Sequence, residues 1–418
     1  MYRHLSKTTV SFAALAIALT APQAAMAATG DEAATQEQLQ AALQQLQQLQ
    51  AQISALQTQV NQQAANSQAT AAKADKALAA SEKPSALPKG LEWAENTKIS
   101  GRMYYNISTV DADAPGGGNV EKDGGFQIKR FYIGVDHKFD DTFSGNVTMD
   151  IENISGVGRA FYVKKAFLEA KIDKALKVRV GSTDMPWIPY VEGIYGYRHV
   201  EKTLTDLDKF GTSADWGVHA MGEFADGMVN YQISAVDGGG YRDPKFTKTI
   251  DIEGRLGFKY QGFNAAVGGY VGKLGKDVEG ATDDYRTAKR FNAMLAYKDK
   301  VGGMPLTIGG EYFHAKNWGV KTTDPKDSAE GYSIFASVSP AKKWSLFGRY
   351  DWVKPNKDTA PLKKEQFYQA GIQYSPAKIV DFALVYKHDN GDGGIKIGNL
   401  GSGQETRDEF GLYGQFRF

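Results

Sequence analysis

The 418-residue chain contains no cysteine, which excludes a disulfide framework and any thiolate metal site. Histidine is rare, and beyond residue 27 it occurs only as His137, His199, His219, His314 and His388. These are dispersed without the spacing of a metal centre. Neither sign of charge predominates, with 49 Lys and Arg against 48 Asp and Glu, so no nucleic-acid partner is expected. Proline is scarce, at 13 residues. After the N-terminal segment, no apolar run approaches the roughly 18 residues that mark a membrane-crossing helix. A strand-built membrane protein escapes that test, because alternating side chains average to neutral.

Catalytic signatures are also missing. Glu311 and His314 stand three apart, which puts them on opposite faces of a strand. Ser182 and Thr183 lack a partnering His and Asp arrangement. The runs Gly116–Gly118 and Gly238–Gly240 lack the strand-to-helix context of a phosphate-binding loop and are expected as flexible turns. No enzymatic activity, metal or cofactor is expected from these patterns. Calcium binding by acidic loop residues such as Asp389 and Asp392 is left open.

What is present divides into regions. Arg3 and Lys7, the apolar run Val10–Ala21 and the small residues of Ala25-Met26-Ala27 describe a signal peptide over 1–27. Leu39, Leu46, Ile53 and Val60 recur every seven residues, with Ala42, Leu49 and Leu56 three further on. That is an a/d pattern, so 31–63 is expected to form a periplasmic α-helical coiled coil. An isolated helix of this length is marginal in water and makes most sense as an oligomer. Charges that would fix strand number are lacking, and a Gln-rich tether is the alternative. Residues 64–97 turn to Ala, Ser, Lys and Pro, with Pro84 and Pro88 stopping any helix, and are expected as a linker.

From 98 to 418 the period becomes two. Ile99, Gly101, Met103, Tyr105 and Ile107 share one face, while Lys98, Ser100, Arg102, Tyr104 and Asn106 share the other. Phe131, Ile133 and Val135 alternate likewise with Arg130, Tyr132, Gly134 and Asp136. Similar segments recur to the C-terminus and predict about 16 strands. Short links such as Lys138–Asp141, Asp226–Gly227, Gln261–Gly262, Pro340–Lys342 and Pro376–Val380 alternate with longer Gly- and Asp-rich stretches such as Asp111–Asp123 and Asn390–Gln404. Sorting of connections by length is expected of a 16-stranded antiparallel transmembrane β-barrel with one rim in the periplasm. The longest break, 184–215, is expected to fold inward and narrow the lumen.

The stretch Phe126-Gln127-Ile128-Lys129-Arg130-Phe131-Tyr132-Ile133-Gly134-Val135, followed by Phe143 to Asp150, resembles the opening strands of the phosphate-selective porin O and P family. Leu168-Glu169-Ala170-Lys171, Val178-Arg179-Val180-Gly181 and Met185-Pro186 extend the resemblance, as do Gly222 to Asn230 and Ala235-Val236-Asp237-Gly238. It implies a homotrimeric 16-stranded barrel in the bacterial outer membrane whose third external loop constricts the pore. The expected function is passive diffusion of small hydrophilic solutes, anions such as phosphate among them. A sugar-preferring porin, or a tether joining outer membrane to peptidoglycan, is the alternative. The alternating terminal aromatics Phe416 and Phe418 resemble the insertion signal read by the barrel-assembly machinery, and outer-membrane lipids would surround the strands.

Several residues are expected at the constriction. Arg102, Arg130, Arg179, Arg198 and Lys202 would line one wall, with Glu192 and Glu201 opposing, to give a transverse field; ordinary salt-bridged pairs are the alternative. Alternation places further cations (Lys165, Arg255, Arg290, Arg349) and acids (Asp150, Glu152, Glu169, Asp251, Glu253, Glu311, Asp351) toward the lumen. Rings of one sign select ions, and mixed rings select less. Trp187, Tyr190, Tyr195 and Tyr197 would form an aromatic slide for sugar rings or pack the loop against the wall. Trp344, Tyr350, Trp352, Tyr374 and Tyr386 fit lipid-facing girdles.

Overall fold

The computed structural model describes residues 92–154, 158–276, 287–318 and 327–418. The signal peptide, the coiled coil and the linker up to residue 91 lie outside the described residues.

A 3-10 turn, Glu92–Asn96, leads into sixteen strands. They are β1 (Thr97–Asp113), β2 (Asn119–Lys138), β3 (Phe143–Ile154), β4 (Gly158–Lys171) and β5 (Lys177–Asp184). After the long break come β6 (Ala214–Phe224), β7 (Val229–Val236), β8 (Asp251–Tyr260), β9 (Phe263–Gly272) and β10 (Ala288–Val301). The set is completed by β11 (Met304–Lys316), β12 (Ser328–Ala341), β13 (Trp344–Lys354), β14 (Glu365–Ala377), β15 (Val380–Gly391) and β16 (Thr406–Arg417). Each pairs antiparallel with its sequence neighbours, and β16 pairs with β1 to close the barrel, Val110 standing opposite Glu409. Closure leaves no free sheet edge.

Alternation decides which side chain goes where. Ile99, Ile107, Val180, Leu295, Ile308 and Leu384 point outward and are exposed, while Tyr104, Asn106, Asp150 and Arg349 point inward and are buried. Trp344 packs on Tyr374, Tyr350 on Tyr368, and Tyr332 on Trp352, forming aromatic rows on the outer face. Among the described residues no helix is long and apolar enough to cross a membrane.

The rims differ. One is made of tight turns, including Gln261-Gly262, where both residues take positive φ (47° and 83°), the geometry of a two-residue hairpin turn matched to strand twist. The other carries the longer connections. Several boundaries differ from those expected. The stretch Asp111–Asp123 is mostly ladder, because Asp111 pairs with Lys122 and Ala112 with Glu121, leaving a turn around Gly116–Gly118. Pro340 and Pro376 lie inside the ends of β12 and β14, at register breaks where no ladder N–H is needed.

Candidate functional site: the loop inside the barrel

Residues 185–213, between β5 and β6, lie inside the barrel and pack an apolar face against its wall. The loop opens with helix α1 (Ile188–Tyr195), which has Pro189 in its first turn and ends on Gly196 at φ 85°, whose N–H bonds back to the Glu192 carbonyl at 2.9 Å. Ile188, Val191, Ile194 and Tyr195 form its buried stripe. A second short helix, α2 (Leu204–Leu207), follows. Trp187 has no exposed surface, and its indole donates to Glu311 at 3.1 Å. Tyr197 stacks on Phe347 with ring centres 4.0 Å apart, and Tyr195 meets Phe335 edge-on. These contacts press the loop against β9 to β16. Three of the four aromatics considered as a sugar slide are therefore buried packing groups. Tyr190 is half-buried, with the Arg255 guanidinium 4.0 Å from its ring centre.

An irregular loop exposes backbone carbonyls that need donors, and wall cations supply them. Lys129 and Lys387 donate to the Val200 carbonyl at 2.7 and 3.1 Å. Arg255 donates to Pro186 at 2.8 Å, and Lys298 to Gly193 at 2.9 Å near the α1 C-terminus. Arg290 and Arg349 donate to the carbonyls of Phe210 and Lys202. Carboxylates neutralise several of these cations. Arg290 pairs with Glu253 at 2.8 Å, Lys387 with Glu201 at 2.7 Å, and Arg349 with Asp351. Burial alone would raise the Glu201 carboxyl, but Lys129 and Lys387 hold it well below the usual carboxylate range.

Two β-bulges shape the opposite wall. Between Tyr104 and Tyr105 of β1 the partner skips Lys129, and between Thr148 and Met149 of β3 it skips Lys164. Each bulge turns two successive residues inward, Lys129 with Arg130 and Lys164 with Lys165. Strict alternation would have sent Lys129 and Lys164 to the outer face, which is why the sequence reading did not single them out. Arg130 is tied to Asp150 at 3.1 Å and Lys165 to Asp184 at 2.5 Å. Lys164 has no carboxylate partner among the described residues and lies over the Tyr132 ring, 4.7 Å from its centre. Arg102 likewise lacks one; it is exposed and donates to the Tyr104 hydroxyl at 3.3 Å.

The loop and this wall enclose a cavity of about 660 Å³. Lys98, Arg102, Lys164, Lys165, Arg198, Lys378 and Arg417 line it, with only Asp184 and Glu192 as acids. The Lys378 turn belongs to the tight-turn rim. The expected constriction residues are thus distributed unequally. Arg102 and Arg198 line the open cavity with Glu192. Arg198 and Glu192 share one loop and bond at 2.6 Å, so they do not oppose each other across the opening. Arg130 is a buried pair with Asp150. Arg179 is held by Glu169 at 2.7 Å and by Thr183 at 2.9 Å. Glu201 is a buried anchor, and Lys202 contributes its backbone carbonyl to Arg349. A basic wall faces a loop whose charges are largely paired within itself or with its seat.

No family model matches the chain, and no curated protein matches it. Solved structures do. The anion-selective porin from Comamonas acidovorans aligns with TM-score 0.58 at 12% identity, over 77% of this chain and 99% of that one. OprB of Pseudomonas putida aligns with TM-score 0.59 at 9% identity, over 78% and 95%. The outer membrane channel DcaP of Acinetobacter baumannii aligns with TM-score 0.54 at 13% identity, over 77% and 97%. At these identities the shared property is the fold: the chain is a closed sixteen-stranded barrel built like these outer-membrane proteins.

Proposed function

We propose that the chain is an outer-membrane porin that passes small hydrophilic solutes by passive diffusion and favours anions, inorganic phosphate among them. The observation that carries the reading is the cationic wall of the lumen cavity, where Lys164 and Arg102 have no carboxylate partner among the described residues. Composition alone would predict weak selectivity, since the two charge signs are balanced. The lumen acids Glu253, Glu201, Asp351, Asp150 and Glu169 are each consumed in an ion pair, however. Each of those pairs also takes up a cation, so the basic excess lies at the cavity, which seven Lys and Arg line against two acids, and fixed charges of one sign select ions.

The outward apolar side chains and aromatic rows support a lipid-facing exterior, with the tight-turn rim in the periplasm and the long connections outside. The resemblance of the opening strands to phosphate-selective porins supports phosphate as a solute and a trimer as the assembly. Sugar passage is less favoured, because Trp187, Tyr195 and Tyr197 are buried under the loop rather than displayed along it.

The test is planar-bilayer conductance of the purified protein with reversal potentials under a KCl gradient, followed by titration with phosphate. Anion-selective steps reduced by phosphate support the reading. Cation-selective steps would sink the anion preference, and absence of conductance from folded barrel would sink the channel.

A further inference from the structure

Above the loop, on the side of the long connections, three buried carboxylates meet. Asp208 follows α2, Glu365 begins β14, and Asp389 lies near the end of β15. Glu365 and Asp389 have no exposed surface, and Asp208 retains 9%. Among the described residues, none of their six buried carboxylate oxygens has a hydrogen-bond partner. They converge on Gly398, in the connection between β15 and β16. A Cβ built on that glycine would lie 2.5 Å from Glu365 Oε1, 3.2 Å from Asp208 Oδ1 and 3.5 Å from Asp389 Oδ1. Gly398 has φ 57°, a conformation that glycine adopts without steric cost.

Protein cations nearby are already committed. Arg349 is held by Asp351, Lys387 by Glu201, and Arg407 by Glu409 at 2.9 Å. Burying even one carboxylate without a partner is expensive, and here three do so together. The donor set is oxygen only and includes no nitrogen or sulfur.

We propose that Asp208, Glu365 and Asp389 bind a calcium ion that clamps the inward loop to β14, β15 and the outer connection. Calcium takes carboxylate oxygens in flexible geometry at 2.3–2.6 Å, whereas magnesium demands a near-ideal octahedron. Among the described residues no three acidic or histidine groups already stand closed around one metal position. The ion therefore has to draw these oxygens together as it binds. Calcium suits that better than a smaller, stricter ion. The three ligands come from the loop and from two wall strands, so an ion here couples the position of the loop to divalent cation outside the cell.

The experiment uses the full chain refolded in detergent free of lipopolysaccharide, with folding verified by heat-dependent gel mobility. Equilibrium dialysis with radioactive calcium should give one ion per chain, and Asp389→Asn and Glu365→Gln should each weaken binding at least tenfold while remaining folded. In bilayers, EGTA should make wild-type conductance noisier, and calcium added on the long-connection side should quiet it. Absence of stoichiometric binding by folded wild type at millimolar calcium overturns the site, as does equal binding by wild type and both variants. A wild-type conductance that responds to pH but not to calcium assigns the cluster to shared protons and equally overturns it. Dialysis needs no conductance, so a failure of the channel reading stays distinguishable from a failure of the calcium site.

Discussion

Lys387 Nζ lies 2.7 Å from Glu201 Oε2, with both side chains almost wholly withdrawn from solvent, so that strand β15 is tied to the middle of the inward loop. The same ammonium donates to the Val200 carbonyl and lies 4.3 Å from the centre of the Tyr413 ring. Removing one partner of such a pair strands the other, which costs about 3–5 kcal/mol, whereas replacing both with apolar groups of similar volume is far milder. Lys387→Met should therefore loosen the loop and give larger, noisier conductance steps. Lys387→Met combined with Glu201→Leu should recover much of the wild-type behaviour. Equal noise in the single and double variants would show that the pair does not hold the loop.

The two bulge cations separate selectivity from anchoring. Lys164 faces the cavity without a carboxylate partner among the described residues, while Lys129 is spent on the Val200 carbonyl and on Glu201 at 3.8 Å. A unit charge at 4 Å is worth about 1 kcal/mol in water, roughly a fivefold effect on partition. Lys164→Ala should lower the anion-over-cation permeability ratio several-fold without changing channel noise. Lys129→Ala should do the reverse. The check is reversal potential and open-channel noise recorded on both variants in the same salt gradient.

Trp187 is the central packing group of the loop. Its indole bonds Glu311, and its ring lies so close to Gly268 that a Cβ there would come within 2.8 Å of it. Truncating a buried tryptophan costs about 3–5 kcal/mol. Trp187→Ala should make residues 185–213 cleavable by protease added to the folded barrel, while the heat-dependent gel shift of the barrel persists. Gly268→Ala should produce a weaker form of the same sensitivity. Resistance of both variants to cleavage would mean that the wall cations alone suffice to seat the loop.

The strands were legible because alternation is enforced residue by residue: a membrane-facing wall admits apolar groups and a lumen wall polar ones. All sixteen segments marked by that alternation are strands in the structure. The inward loop was legible as a break too long for a turn. The roles of its charges were not. Arg290, Arg349 and Arg255 look identical to Arg102 in a period-two pattern, yet they donate to loop carbonyls, and those partners lie far away in sequence. Lys129 and Lys164 were invisible for a different reason, since a bulge is a break in register that single-strand periodicity does not carry. Each stands beside a second cation, at Lys129-Arg130 and Lys164-Lys165. One member of each pair would face lipid under strict alternation, and that conflict is the signal that could have located both bulges. Asp389 was named beside Asp392 as a loop acid, yet it lies in β15, and its grouping with Asp208 and Glu365 was out of reach because the three come from separate elements.

His199 should set the response of the loop to acid. It is 2% exposed, and Gln415 faces it: the Gln415 amide nitrogen donates to Asp381 at 2.7 Å and lies 3.4 Å from His199 Nδ1. An amide N–H facing Nδ1 leaves that atom an acceptor, so protonation would set donor against donor. Burial, with Lys129, Arg417 and Arg102 adding to it, pushes the imidazole down to about 3. A group depressed below its ordinary value of about 6.5 contributes stability that is complete above 6.5 and is lost as pH falls toward 3. Conductance should therefore be constant from pH 8 to about 6.5 and change progressively below it as the loop seat weakens. His199→Phe, which keeps the aromatic contacts with Tyr104 and Tyr197, should remove that component and shift the transition to lower pH. If wild type and His199→Phe change at the same pH, carboxylate protonation elsewhere drives the transition and the imidazole is only packing.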